Sequence, residues 1–374
     1  MNTLFLALGI YAGVGGMQRF NQRVLRCLSQ LQLSQSIRSA VVSLWDADKV
    51  LSSAPKDLAL FGAGRSKVRT VVAFARCLHR MKPEVVLYGH VLLTPLALLA
   101  KVLSPRSQQL LFVHGDEVWG EPFRPSAPAL ERMLVRSLID RVVSVSQFTV
   151  DAMKREYSLP AGIFRLLPNA VDVADGPSDH ARPHFQRSEV WLLTVSRLNL
   201  DDRAKGCDNV ILAMPEVLSR FPNVRYRIVG DGPLRSELEQ LAVNVGVADR
   251  VMFLGHVSDE CLHGVYADSD VFVMPSRKEG FGIVFLEAWL HCLPLVVGNK
   301  DASPEVVTHG VNGICVDPHS PEQFAQALCE LLSDTRRAAS MGQQGRKTVL
   351  ERYTHDHFCL NLAKILAEYV GKPS

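Results

Sequence analysis

The residues best suited to chemistry cluster in Pro275-Ser276-Arg277-Lys278-Glu279-Gly280-Phe281-Gly282-Ile283-Val284-Phe285-Leu286-Glu287-Ala288. Glu279 falls in a glycine-rich loop directly after the apolar run Val271–Met274. Glu287 falls about two turns into the helix predicted by the apolar stretch that follows. A carboxylate in so apolar a setting is expensive to bury unless something hydrogen-bonds to it. Sugar or ribose hydroxyls are suitable donors, and a glycine-rich helix N-terminus beside them suits a phosphate. The alternative, Glu287 facing solvent on an amphipathic helix, fits the flanking residues less well.

A second group is Thr194-Val195-Ser196-Arg197-Leu198 followed by Lys205-Gly206. Arg197 ends a predicted strand and Lys205 opens the next helix. Two cations at that level could neutralise a diphosphate leaving group without a metal. His114 follows the run Leu110–Val113, where a histidine is more often structural than catalytic. Gly13, Gly15 and Gly16 lie between the first apolar run and the first helical pattern, where glycine lets backbone N–H groups approach a phosphate or sugar. Gln18 stands where a dinucleotide fingerprint needs its third glycine, and no Gly-Lys-Ser/Thr occurs, so both phosphate-loop motifs are excluded. Asp231, in Val229-Gly230-Asp231-Gly232-Pro233, reads as a helix cap. Asp46-Ala47-Asp48 and Asp268-Ser269-Asp270 fall in a polar loop and a turn, and neither is read as a metal site.

The elements that must position these residues alternate. Strands are predicted at Leu4–Leu8, Ala40–Leu44, Val85–Tyr88, Leu110–Val113 and Val142–Val145, with a helix at Met17–Leu31. After a polar segment with two prolines, residues 172–188, the rhythm restarts at Trp191–Val195, Arg225–Val229, Val251–Leu254, Val271–Met274 and Leu295–Val297. This predicts an α/β fold of two doubly wound parallel domains, residues 1–172 and 189–354, joined by a 173–188 linker, with ligand bound in the cleft between them. A length of 374 residues suits two domains at roughly 150 residues each.

Ordinary Gly, Pro and aromatic content excludes fibrous and disordered classes. The N-terminus lacks a basic n-region and is read as a strand. The run Val91–Ala100 is shorter than the ~20 apolar residues a bilayer span needs. Eight scattered cysteines without metal spacing read as reduced and buried, as in a cytosolic protein. A net charge of +3 does not imply nucleic acid. Charge is uneven, with 21 Lys and Arg against 14 Asp and Glu in residues 1–180, and 20 against 24 thereafter. Arg65, Lys67, Arg69, Arg76, Arg80 and Lys82 carry no opposing acid, and valines interleave them at helical spacing. The segment reads either as a solvated face or as a basic amphipathic surface for anionic lipid headgroups.

Taken in order, Gly15-Gly16-Met17-Gln18-Arg19, His114-Gly115, Val145-Ser146, Leu167-Pro168-Asn169-Ala170-Val171-Asp172, Val195-Ser196-Arg197-Leu198 with Lys205-Gly206, Val229-Gly230-Asp231-Gly232-Pro233 and the Glu279–Glu287 pair resemble the retaining glycosyltransferases of family 4, of GT-B fold, over nearly the whole length. The resemblance implies transfer of a hexose from a UDP- or GDP-linked sugar to a hydroxyl of a glycan or lipid-linked acceptor, with retention, in polysaccharide or lipid-linked glycan synthesis. It implies that Arg197 and Lys205 hold the donor diphosphate and Glu287 the ribose. Glu279 would contact the transferred sugar, with N–H groups of the Gly280-Phe281-Gly282-Ile283 turn nearby. His114 would meet the sugar or acceptor hydroxyl, and Gly15 and Gly16 would lie near the phosphates. Glu279, His114, Arg197 and Lys205 are therefore the catalytic candidates. No metal or other cofactor is implied. The C-terminal helix, about 355–374, would pack on the first domain. The expected location is cytoplasmic, peripheral at the membrane's inner face. Asn299-Lys300-Asp301-Ala302 departs from the family, where a Gly-Gly pair is common, and this affects donor choice. The competing readings are a GT-B sugar-nucleotide epimerase and a non-catalytic nucleotide-sugar-binding module. The second should have lost Glu279, Arg197 or Lys205, and all three are present.

Overall fold

Runs of four to six aliphatic residues with little charge are buried on both faces, which is the environment of a parallel strand covered by helices. The computed structural model describes residues 1–13, 15–34, 36–118, 127–173 and 188–369. Most of the predicted linker, residues 174–187, lies outside the described residues. The chain forms two compact units. One is Met1–Asn169 with the segment that begins at His355, and the other is Ala170–Thr354.

The first unit holds β1 (Asn2–Ala7), β2 (Arg38–Ser43), β3 (Ala59–Gly62), β4 (Val85–Tyr88), β5 (Gln108–Val113), β6 (Arg141–Ser144) and β7 (Phe164–Leu166), in the spatial order β3-β2-β1-β4-β5-β6-β7. Its helices are α1 (Gly16–Leu33), α2 (Lys67–Met81), α3 (Ala97–Leu103), α4 (Ala129–Leu138) and α5 (Gln147–Tyr157). The second unit holds β8 (Val190–Val195), β9 (Val224–Val229), β10 (Val251–Gly255), β11 (Val271–Met274), β12 (Leu295–Gly298) and β13 (Gly313–Val316), in the order β10-β9-β8-β11-β12-β13. Its helices are α6 (Cys207–Arg220), α7 (Arg235–Asn244), α8 (Asp259–Ala267), α9 (Ile283–Leu290), α10 (Ser303–Val306), α11 (Pro321–Ser333) and α12 (Thr335–Arg352). All strand pairs are parallel. The last helix, α13 (His355–Ala367), belongs to the first unit.

Each sheet reverses its winding beside its first strand, β1 against β4 and β8 against β11. Ligands of such sheets bind beyond the carboxyl ends of the strands at that switch point. The turn with Gly13, Gly15 and Gly16 follows β1, and His90 follows β4. In the second unit Arg197 follows β8, and Glu279 follows β11.

Two readings of the cysteines are corrected. Cys27 and Cys359 form a disulfide 332 residues apart in sequence, so not all eight are reduced. The buried face of α1, with Phe20, Val24, Cys27 and Leu28, packs on α13, where the Phe20 and Phe358 rings meet edge to face at 5.2 Å. That packing sets the two cysteine Cα atoms 5.2 Å apart, a proximity no sequence spacing encodes. Cys261 is exposed and Cys315 half-buried, so burial is not general either. Among the described residues no helix is long and apolar enough to cross a membrane.

Candidate active site

The turn between β11 and α9 is fixed from several directions. The Arg277 N–H donates to Ala204 O at 2.9 Å, and the Lys278 N–H donates to Ser276 Oγ at 3.0 Å. Lys205 Nζ donates to Lys278 O at 3.1 Å and forms an ion pair with the Glu279 carboxylate, both side chains being largely buried. The Glu279 N–H donates to Asp301 Oδ2 at 2.8 Å. An ammonium has three donors, and these contacts use two, so one remains for a ligand.

Gly282 holds φ at +86°, and a Cβ there would lie 2.2 Å from the Phe285 ring, so both backbone and packing require glycine. It is also the N-cap of α9 and has no side chain to bond the first N–H groups, which leaves them directed at whatever occupies the turn. Phe281 is buried edge-on against Tyr353 at 5.5 Å, so its offering to a ligand is the backbone N–H. Glu287 is the fifth residue of α9, one turn in rather than two. It is half-buried, and Oε2 accepts the Tyr266 hydroxyl at 2.9 Å.

Arg197 lies two residues beyond β8, with Nη2 3.4 Å from Asp202 Oδ1, and its side chain is 66% exposed. Lys205 ends a 3₁₀ turn, Leu200–Lys205, instead of opening α6. Asp231 does not cap α7, which begins at Arg235. Its Oδ1 accepts the adjacent Gly232 N–H at 2.8 Å. The glycines around it serve packing, since a Cβ on Gly230 would sit 1.8 Å from Ser196 O and displace the Arg197 loop. The structure thus joins Lys205 to Glu279 and the α9 turn, and bonds Arg197 to the 3₁₀ turn that carries Lys205.

Gly15, Gly16 and His114 belong to the first unit. Gly15 is the N-cap of α1, which has no side-chain cap, and a Cβ on Gly16 would meet nothing within 4 Å. The preceding residues are organised by Asp46. Its fully buried carboxylate accepts the N–H groups of Ile10, Tyr11 and Ala12 at 2.7, 2.9 and 2.6 Å, and also the Ser43 hydroxyl. Asp48 accepts the Gly62 N–H at 2.8 Å, and Asp270 accepts the Trp191 N–H at 2.8 Å. Three of the four carboxylates in the two Asp-x-Asp strings therefore order backbone.

His114 Nε2 lies 3.1 Å from Gly89 O, which assigns the proton to Nε2, and the ring packs edge-on against Phe20 at 4.9 Å. Burial pushes the imidazole down to about 4, so it is neutral at pH 7 with Nδ1 as acceptor. The buried Glu117 carboxylate takes the N–H groups of His114 and Gly115 at 3.0 and 2.8 Å, and burial pushes it up to about 7. Sequence reading did not assign Asp46, Glu117 or Asp301 a role in ordering the backbone. All three bond to backbone N–H groups, and such partners leave no trace in side-chain spacing.

The family model described as Glycosyl transferases group 1 matches residues 178–348, a span that includes Arg197, Lys205, Glu279 and Glu287. The one described as Glycosyltransferase Family 4 matches residues 14–175, a span that includes Gly15, Gly16 and His114. A GDP-mannose-dependent alpha-(1-6)-phosphatidylinositol monomannoside mannosyltransferase of Mycobacterium tuberculosis is 36% identical over 284 residues, 73% of this chain and 73% of its own. The chain belongs to glycosyltransferase family 4. An alpha-D-kanosaminyltransferase of Streptomyces kanamyceticus is 29% identical over 265 residues, 68% of this glycosyltransferase and 66% of its own length. Among solved structures, HepE of Anabaena in complex with UDP and glucose aligns with TM-score 0.77 and 18% identity, over 98% of this chain and 100% of that one. Sucrose-phosphate synthase of Thermosynechococcus elongatus aligns with TM-score 0.79 and 20% identity, over 98% and 99%. These structural likenesses show that this family 4 glycosyltransferase has the GT-B fold of two Rossmann-like domains.

Proposed function

We propose that this glycosyltransferase moves a hexose, with retention of anomeric configuration, from a nucleoside diphosphate sugar to a hydroxyl of a glycolipid or glycan. The observation that carries the reading is Lys205, a largely buried cation with one uncommitted donor, beside Glu279 and the uncapped N-terminus of α9. GDP-mannose is the first donor to test, because the mycobacterial relative is named for it.

Departure of the diphosphate builds negative charge on its oxygens as an oxocarbenium-like centre forms. Lys205 and Arg197 lower that barrier electrostatically, together with the first N–H groups of α9. Glu279 accepts hydroxyls of the transferred sugar, and Glu287, oriented by Tyr266, accepts those of the ribose. Among the described residues we assign no side chain the role of covalent nucleophile. In the same-face route, the bond from the anomeric carbon to the diphosphate breaks, the acceptor oxygen bonds to that carbon from the same face, which yields retention, and the leaving phosphate oxygen takes the acceptor's proton. Neutral His114 contributes a hydrogen bond to the sugar or acceptor hydroxyl. With cations and N–H groups supplying the positive charge, the reaction needs no metal, and turnover in EDTA should equal turnover without it. The test is incubation with GDP-mannose and UDP-linked hexoses plus a bacterial lipid extract, followed by NMR of the product's anomeric proton. An α-linked product from one α-linked donor is expected, and an inverted product would overturn the mechanism.

The membrane is the second proposed partner. In α2 the apolar residues Val68, Val71 and Val72 are exposed while Thr70, Phe74, Cys77 and Leu78 are buried, with Lys67, Arg76 and Arg80 also exposed. The neighbouring α3 adds exposed Leu98 and Val102. Apolar side chains ringed by cations suit an anionic bilayer surface and are poorly explained as a solvated face. The protein should sediment with phosphatidylglycerol vesicles at low salt and not with phosphatidylcholine vesicles, and Val68→Asp/Val72→Asp should abolish this. Equal sedimentation with both lipids, or none with either, would remove the membrane from the account.

A further inference from the structure

Asp301 stands in the loop between β12 and α10, the same loop that departs from the family's common Gly-Gly pair. It is only 5% exposed. Its two carboxylate oxygens have separate tasks: Oδ2 accepts the Glu279 N–H at 2.8 Å, and Oδ1 accepts the Ser303 N–H at 2.9 Å. The next residue completes the connection, since the Ala302 N–H donates to Glu279 O at 3.1 Å. Both backbone polar groups of Glu279 are thus tied to one loop, and that loop follows the strand adjacent to β11. We infer that Asp301 is a positioning residue that holds Glu279 in the orientation needed to meet Lys205 and the transferred sugar. The inference rests on the proposed role of Glu279 and adds the residue that makes the role possible.

Unlike the loop-ordering Asp46, Asp301 bonds the backbone of a candidate site residue that is itself a carboxylate. Burying a carboxylate beside another carboxylate is unfavourable, and a neutral side chain could close the same turn. Burial pushes Asp301 up to about 6, and the nearby Glu279 charge adds to the rise. The Cys315 thiol on β13 also faces it, and burial pushes that thiol up to about 11 and so keeps it neutral, while Lys205 pairs with Glu279. Lys300 beside it in sequence is paired with Asp317 at 3.6 Å. The ionised carboxylate accepts both N–H bonds best, because protonation turns one oxygen into a donor and weakens it as an acceptor. Activity should therefore fall as pH drops through about 6, and a neutral isostere should lack this acid limb.

The experiment compares wild type, Asp301→Asn and Asp301→Ser in donor turnover from pH 5 to 8 and in amide hydrogen exchange of the peptide covering residues 277–283. Asp301→Asn should lose about tenfold or more in kcat, as expected for a misplaced catalytic group, with donor KM changed less than about threefold. Its profile should be flat where wild type declines, and exchange should accelerate at residue 279 while the strands stay protected. Asp301→Ser should behave alike, which secures the result if one variant folds poorly. Wild-type kcat and pH profile in the variants, or a lowered melting temperature alone, would overturn the inference. If wild type transfers sugar from no donor, the functional reading fails separately. Hydrogen exchange then still decides whether Asp301 holds residue 279, and unchanged exchange refutes it.

Discussion

Lys205→Ala should lower kcat/KM by about 10²–10³-fold, the range found when one preorganised donor is removed from a charge-developing centre. Lys205 is placed for this effect because its ammonium is already oriented. Lys278 O and Glu279 fix two of its protons, so the third needs no reorganisation to reach a phosphate oxygen. The loss should appear mainly in kcat, since charge on the leaving group peaks in the transition state. Removing the cation also takes away the counter-charge that pairs with Glu279, whose charge already raises the nearby Asp301. Glu279→Gln keeps shape and an acceptor oxygen while removing the charge. It separates the electrostatic role from packing, and it should also lose most of its activity. A folded Lys205→Ala enzyme with near-normal kcat/KM would refute the assignment.

Asp46→Ala should produce the largest loss of stability, about 3–5 kcal/mol, comparable with breaking a buried charge network. The carboxylate has no exposure and serves three consecutive N–H groups, so its removal strands donors that water reaches poorly. For a unit of this size the melting temperature should fall by roughly 6–20 °C. Asp46→Asn retains one acceptor oxygen and should recover part of the loss. The loop it orders leads into Gly15 and Gly16, so the Asn variant should also show a raised donor KM. Calorimetry of both variants decides the matter, and a change below about 1 kcal/mol would show that the three bonds are replaceable by water.

The central strands were legible because burial on both faces forces continuous apolar runs, as in Val85–Tyr88 and Val271–Met274, which the structure reproduces residue for residue. The strands not foreseen, β3, β7 and β13, are all sheet edges. There one side of the ladder is unpaired and the pattern is mixed, as in Ala59–Gly62 with its alternating exposure. Glu279 and Glu287 stood out as candidates because a charge among glycines or inside an apolar helix needs a reason, and Lys205 because it follows Arg197 at the level of a strand end. The depth of Glu287 in α9 was misjudged because Gly282 rather than Gly280 sets the helix start. Asp46 was passed over because its surroundings read as a polar loop, although the fold buries it completely. Cys27 and Cys359 meet only through the packing of α1 on α13.

The central claim is that Lys205, Glu279 and the start of α9 form a metal-independent donor site. Calorimetric titration of GDP and UDP into wild type and Lys205→Ala, in EDTA throughout, tests it most directly. The account predicts that one nucleotide binds wild type in EDTA and binds the variant at least about tenfold more weakly, the loss of one charge-assisted contact. Equal affinity for both proteins, or binding to wild type that appears only when divalent metal is restored, would contradict it.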